Sequence, residues 1–135
     1  MMEELSPDEC LRLLARGTVG RIAITVDALP SILPVNYVMH DGAIVLRTVP
    51  GTDLNSATDR AIVAFLVDSY RQLGDAYGWS VLARGTATRI TDPNDYLAAQ
   101  RLPLRSWARD GDADEFVQIV PVMLTRRRVY DPARN

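Results

Sequence analysis

The chain doubles back at Asp41-Gly42, and this turn constrains the fold more than any other feature. Apolar runs flank it, Leu33-Pro34-Val35-Asn36-Tyr37-Val38-Met39 before and Ala43-Ile44-Val45-Leu46-Arg47-Thr48 after. Asp-Gly between two such runs signals a hairpin, because Gly takes positive φ without steric cost. The spacing predicts strands over 31–39 and 43–48. Pro34 removes one ladder donor, which places the first strand at a sheet edge or at a bulge. The second strand runs through Val49-Pro50-Gly51 into a short helix from about Thr52 to Asp59, capped by Thr52 or Asp53. An arginine, two threonine hydroxyls and a helix start thus converge at Arg47, Thr48 and Thr52. That combination suits a phosphate. A simple cap beside a solvated arginine is the other reading.

The rest of the chain follows the same grammar. Ser6-Pro7-Asp8-Glu9 is a helix start with a capping box, and Cys10, Leu11, Leu13 and Leu14 give it an apolar stripe. A strand is predicted over 19–26, a turn at Asp27-Ala28-Leu29-Pro30, and a buried strand over 61–67. Residues 69–77 read as a polar loop and 79–90 as the longest strand, with Val81, Ala83, Gly85 and Ala87 making one small-residue face. A third helix starts at Asp92-Pro93 and ends near Arg101. Residues 102–114 read as a loop carrying Trp107. The segments 115–120 and 122–129 form a strand pair, or one strand bent at Pro121. Six or seven short strands with three peripheral helices predict a mainly β fold: one small antiparallel barrel domain spanning 1–135. The helices are too few to serve as parallel crossovers.

Composition removes several function classes. A net charge of −2 argues against nucleic acid or an anionic membrane surface. No apolar run approaches the roughly 20 residues of a membrane span, and the acidic start Met1-Met2-Glu3-Glu4 is the reverse of a signal peptide; a cytoplasmic location is expected. Cys10 is the only cysteine, so internal disulfides are excluded, and it reads as a packed hydrophobe. All 15 basic residues are arginine, which rules out Schiff-base chemistry. His40, the single histidine, reads as an exposed turn residue, and no metal site is expected. No catalytic triad or carboxylate pair is legible, so no catalytic residue is assigned. Arg126-Arg127-Arg128 alternate faces on a strand and form no continuous basic patch.

Pro34 to Tyr37, Leu46 to Thr52, Gly78 to Gly85 and Leu102 to Trp107, in this order, resemble the pyridoxamine 5′-phosphate oxidase-like FMN-binding proteins of the small actinobacterial type. The resemblance implies a split β-barrel that dimerises with itself and holds FMN at the subunit interface. It implies that Val35, Asn36 and Tyr37 lie along the flavin ring, that Arg47, Thr48 and Thr52 hold the phosphate, and that Trp79, Ser80 and Trp107 border the cofactor. The activity implied is an FMN-dependent oxidoreductase acting on a small organic substrate. The alternatives are an F420-dependent reductase, or a noncatalytic module that binds flavin or haem or no cofactor. After Gly51-Thr52 the family usually carries a lysine for the phosphate; this chain has Asp53. Whether Asp53 faces the phosphate or turns outward to cap the helix, loss of the lysine implies weaker flavin binding, and Arg47, Arg60, Arg84 or Arg89 would supply the missing charge.

Overall fold

The computed structural model describes residues 2–3, 6–71, 76–105 and 114–131. In chain order the elements are β1 (Met2–Glu3), α1 (Pro7–Arg16), β2 (Val19–Val26), β3 (Leu29–Asn36), β4 (Val38–His40), β5 (Ala43–Thr48), α2 (Asp53–Ala57), β6 (Ala61–Arg71), β7 (Ala76–Arg89), α3 (Pro93–Gln100) and β8 (Glu115–Asp131). No described helix is long and apolar enough to cross a membrane.

Local chemistry sets the boundaries. Ser6 Oγ accepts the Glu9 N–H at 3.2 Å and Pro7 opens α1. Asp92 caps α3 by accepting from the Asn94 and Asp95 N–H groups. The Asp41-Gly42 turn has positive φ at both residues, 50° and 78°, and joins β4 to β5 as expected. The earlier turn is shorter than expected: only Asp27 and Ala28 turn, with φ of 51° and 64°, and Leu29-Pro30 already belong to β3.

All strand pairs are antiparallel, in the order β3-β2-β6-β7-β8-β5-β4, with β1 added beside β8. The two margins of this sheet, β3 and β4, are consecutive in the chain and separated by Tyr37 alone. The chain leaves one margin at Asn36 and joins the other at Val38, so the sheet curls into a half-barrel. The single strand expected over 31–39 is therefore two. Tyr37 breaks it because its groups are used inward. Its N–H donates to Thr18 O at 3.1 Å, its hydroxyl donates to Leu14 O, and its ring meets Phe65 edge-on at 4.9 Å. Pro34 sits on margin β3, where its missing donor leaves no ladder partner orphaned.

The barrel interior holds Ile22, Ile44, Leu46, Phe65, Val81 and Ile119, all fully buried. Val81, Ala83 and Ala87 line its inner face, and Gly85 is needed among them: a Cβ there would lie 2.4 Å from Val120 O. A bulge sits at this point, with Arg84 opposite Met123 and Gly85 opposite Pro121. The C-terminal segment is thus one long strand, β8. Outside the barrel, α3 covers β5 with a second cluster around Val45, Ala99, Leu104 and Phe116. The polar loop expected over 69–77 is mostly strand: β6 runs on to Arg71 and β7 begins at Ala76, paired as Ser69–Trp79 and Tyr70–Gly78. Ladder pairing holds these arms beyond the core, so their side chains need not be apolar.

Candidate functional site

A groove of about 340 Å³ opens beside margin β3. Pro34, Val35 and Asn36 of β3 line it together with Arg47 of β5, Leu54 of α2, and Arg105 beyond α3. Its apolar lining, completed by Val19 and Leu104, and two guanidinium groups suit a flat, partly apolar ligand that carries negative charge.

Arg47 is held from several sides. One terminal nitrogen donates to Leu104 O at 2.9 Å, the other pairs with the buried Asp114 carboxylate, and the guanidinium carbon lies 5.0 Å from the centre of the Phe116 ring. This fixes the plane of the fork. Its Nε, also buried, has no hydrogen-bond partner among the described residues.

Thr48 and Thr52 use their hydroxyls within the fold. Thr52 is the α2 cap: its Oγ1 accepts the Asn55 N–H at 3.2 Å and donates to Val49 O at 2.7 Å. Buried Thr48 accepts from Asn55 Nδ2 at 2.9 Å. Asn55 also donates to Glu115 at 3.0 Å, and its side-chain oxygen accepts from Arg89 at 2.8 Å. Arg89 completes the loop with Nε 2.9 Å from Glu115 Oε2. Arg89, one of the arginines expected at the phosphate, therefore anchors α2. Asp53 is exposed in the first turn of α2, where its charge complements the helix dipole.

The other expected site residues fall in different places. Val35, Asn36 and Arg47 meet in the groove. Buried Tyr37 contributes to the core, where desolvation pushes its phenol pKa up to about 12. Trp79 and Ser80 lie in a separate recess of about 270 Å³ with Asp68, Tyr70 and Arg127. Trp107 lies outside the described residues. Sequence reasoning missed Leu54 and the Asn55 hub. Arg105 had a signal in its favour, since it sits inside the Leu102 to Trp107 motif.

The sequence family described as pyridoxamine 5′-phosphate oxidase matches residues 6–128. The chain belongs to this family. A relative from Mycobacterium tuberculosis (strain ATCC 25618 / H37Rv), "Uncharacterized protein Rv0080", is 36% identical over 98% of this chain and 88% of its own length. Among solved structures, the FAD binding protein from Mycobacterium smegmatis is 36% identical with a TM-score of 0.81, covering 93% of this chain and 97% of that one. A FAD-binding protein from Mesorhizobium loti, 20% identical, shares the fold with a TM-score of 0.74 over 96% of this chain and 99% of that one. The half-barrel is thus the split β-barrel of the pyridoxamine 5′-phosphate oxidase family.

The groove fits the flavin that this family implies. Pro34, Val35 and Leu54 offer apolar surface for a ring system, while Arg47 and Arg105 bring guanidinium groups to the groove for a phosphorylated tail.

Proposed function

We propose that this protein is a homodimeric flavoprotein that binds a flavin nucleotide, FMN in its minimal form, and acts as an oxidoreductase on a small organic substrate in the cytoplasm. The observation that carries this reading is the β3 groove, where an edge-strand backbone and two arginines meet. The mycobacterial relative named for FAD binding supports a flavin; FAD contains the ring, ribityl chain and first phosphate of FMN.

A bound flavin supplies the redox chemistry at its ring. The chain's own part is to hold and orient it. The backbone of Asn36, on the sheet margin, presents edge-strand groups along the ring, with Val35 and Tyr37 on either side of it. Arg47, locked by Leu104 O and Asp114, offers a preset charge to the phosphate. Thr48 and Thr52 act through Asn55, fixing the α2 start that carries Leu54. By the family resemblance, Trp79 and Ser80 border the cofactor and Trp107 closes over it. An apolar stripe on the outer sheet face supports the dimer. Ile62 is 83% exposed and Val122 82%, and Ile62, Thr86 and Val120 stand side by side across β6, β7 and β8.

The test is a calorimetric and visible-absorption titration of the purified protein with FMN, FAD, F420 and haem. Saturable binding of FMN or FAD at micromolar or tighter concentration, weakened at least tenfold by Arg47→Ala, is the expected result. Binding of F420 alone or haem alone would replace the flavin reading. Absence of all binding would leave a noncatalytic barrel.

A further inference from the structure

The charge that Arg47 brings to the β3 groove is already opposed from inside the protein. Its guanidinium pairs with the Asp114 carboxylate, and both partners are shielded: the Asp114 side chain is 5% exposed and that of Arg47 22%. Water screens such a pair weakly, so the carboxylate cancels much of the attraction that Arg47 would exert on an approaching anion. Asp114 is also tethered. Its backbone oxygen accepts the Tyr96 hydroxyl of α3 at 2.9 Å, and the Tyr96 ring meets Phe116 edge-on at 5.3 Å. Phe116 in turn lies buried under the Arg47 guanidinium. Glu115, next in the chain, is engaged by Arg89 and Asn55, and Asp53 is exposed to water. Asp114 is therefore the described carboxylate that bears on Arg47.

We propose, resting on the flavin reading above, that Asp114 determines how far the groove distinguishes a phosphorylated ligand from the same ligand without its phosphate. Tethered through Tyr96, the carboxylate stays beside Arg47 when a ligand enters. The phosphate then shares Arg47 with a fixed negative charge instead of meeting a whole positive one. Asp114 thus does two opposed things: it orients the guanidinium, and it lowers the affinity that this guanidinium confers on anions. Specificity set by a built-in repulsive group needs no contact between that group and the ligand.

Calorimetric titration of FMN and riboflavin, which differ only in the phosphate, into the wild-type protein and Asp114→Asn tests this at one fixed ionic strength. Asparagine keeps the shape of the residue and an oxygen for Arg47 while removing the charge. The expected result is FMN binding at least tenfold tighter to Asp114→Asn than to the wild type, with riboflavin affinity within twofold. FMN binding unchanged or weakened, with riboflavin unaffected, would overturn the inference while the flavin reading stands; Asp114 would then only orient Arg47. An equal change for both flavins would overturn it too, since packing and not charge would have changed. Breaking a shielded ion pair also destabilises a fold, so thermal melts accompany the titrations. FMN should raise the melting temperature of Asp114→Asn by more than it raises that of the wild type, and riboflavin should not. A destabilised variant that FMN rescues no better than riboflavin would likewise sink the inference. Failure of either protein to bind either flavin would remove the flavin reading and this inference together.

Discussion

Tyr37 sits at the corner where the chain crosses from one sheet margin to the other, and its phenol is buried without a cation to favour ionisation. Its folded pKa of about 12 exceeds the ordinary value near 10, so the unfolded chain loses this proton first. The stability it contributes is complete below about pH 10 and is lost as pH rises through about 12. Tyr37→Phe should cost about 1 kcal/mol at neutral pH and flatten part of the alkaline decline; thermal melts from neutral to strongly alkaline pH check both. Ala28 holds a left-handed conformation, φ 64°, which costs a non-glycine residue about 1–2 kcal/mol. Ala28→Gly should therefore stabilise the protein, by up to about 1 kcal/mol once the backbone freedom of glycine in the unfolded chain is counted. A lower melting temperature in that variant would show that the turn is not strained.

At the scale of elements, α2 has five residues and is too short to persist alone. Asn55 ties it to Thr48, Arg89 and Glu115. Asn55→Ala should destabilise by about 2–3 kcal/mol by leaving buried polar groups unpaired and should weaken flavin binding through Leu54; urea unfolding and flavin titration report the two effects. In β7, Gly85→Ala would drive a Cβ into the β8 backbone at Val120 O, and a loss of about 2 kcal/mol or more is expected in the same assay. Elements were legible in the sequence wherever a local signal ended them. The cap and proline of α1, the Asp41-Gly42 turn, and the limits of β2 and β5 all announce themselves within a few residues. The break at Tyr37 does not, because the apolar pattern runs on across it and the groups that claim Tyr37, Leu14 O and Phe65, come from elsewhere in the chain. The Asn55 hub joins positions 7, 34 and 60 residues apart, beyond any motif window. Part of the groove was legible, Arg47 from the strand-to-helix chemistry around it and Val35 and Asn36 from the family resemblance, but it is the curl of the sheet that brings β3 to β5.

For the whole molecule, the outer apolar stripe sets the expected assembly. Ile62→Asp, on a residue 83% exposed, should leave the protomer folded and shift sedimentation from dimer to monomer. An unchanged dimer would move the interface away from this face. The curl of the sheet has a kinetic consequence as well. Residues 29–40 supply both of its margins, while β2 must find β6 and β5 must find β8 across long stretches of chain. Closing such loops costs entropy before any contact repays it, so refolding should be slow, on the millisecond-to-second scale of proteins dominated by distant pairings. Because one short stretch clasps both margins, a single backbone cut beside Tyr37 would release them together. A protease that reaches this corner should therefore dismantle the barrel in one step instead of trimming it from an edge.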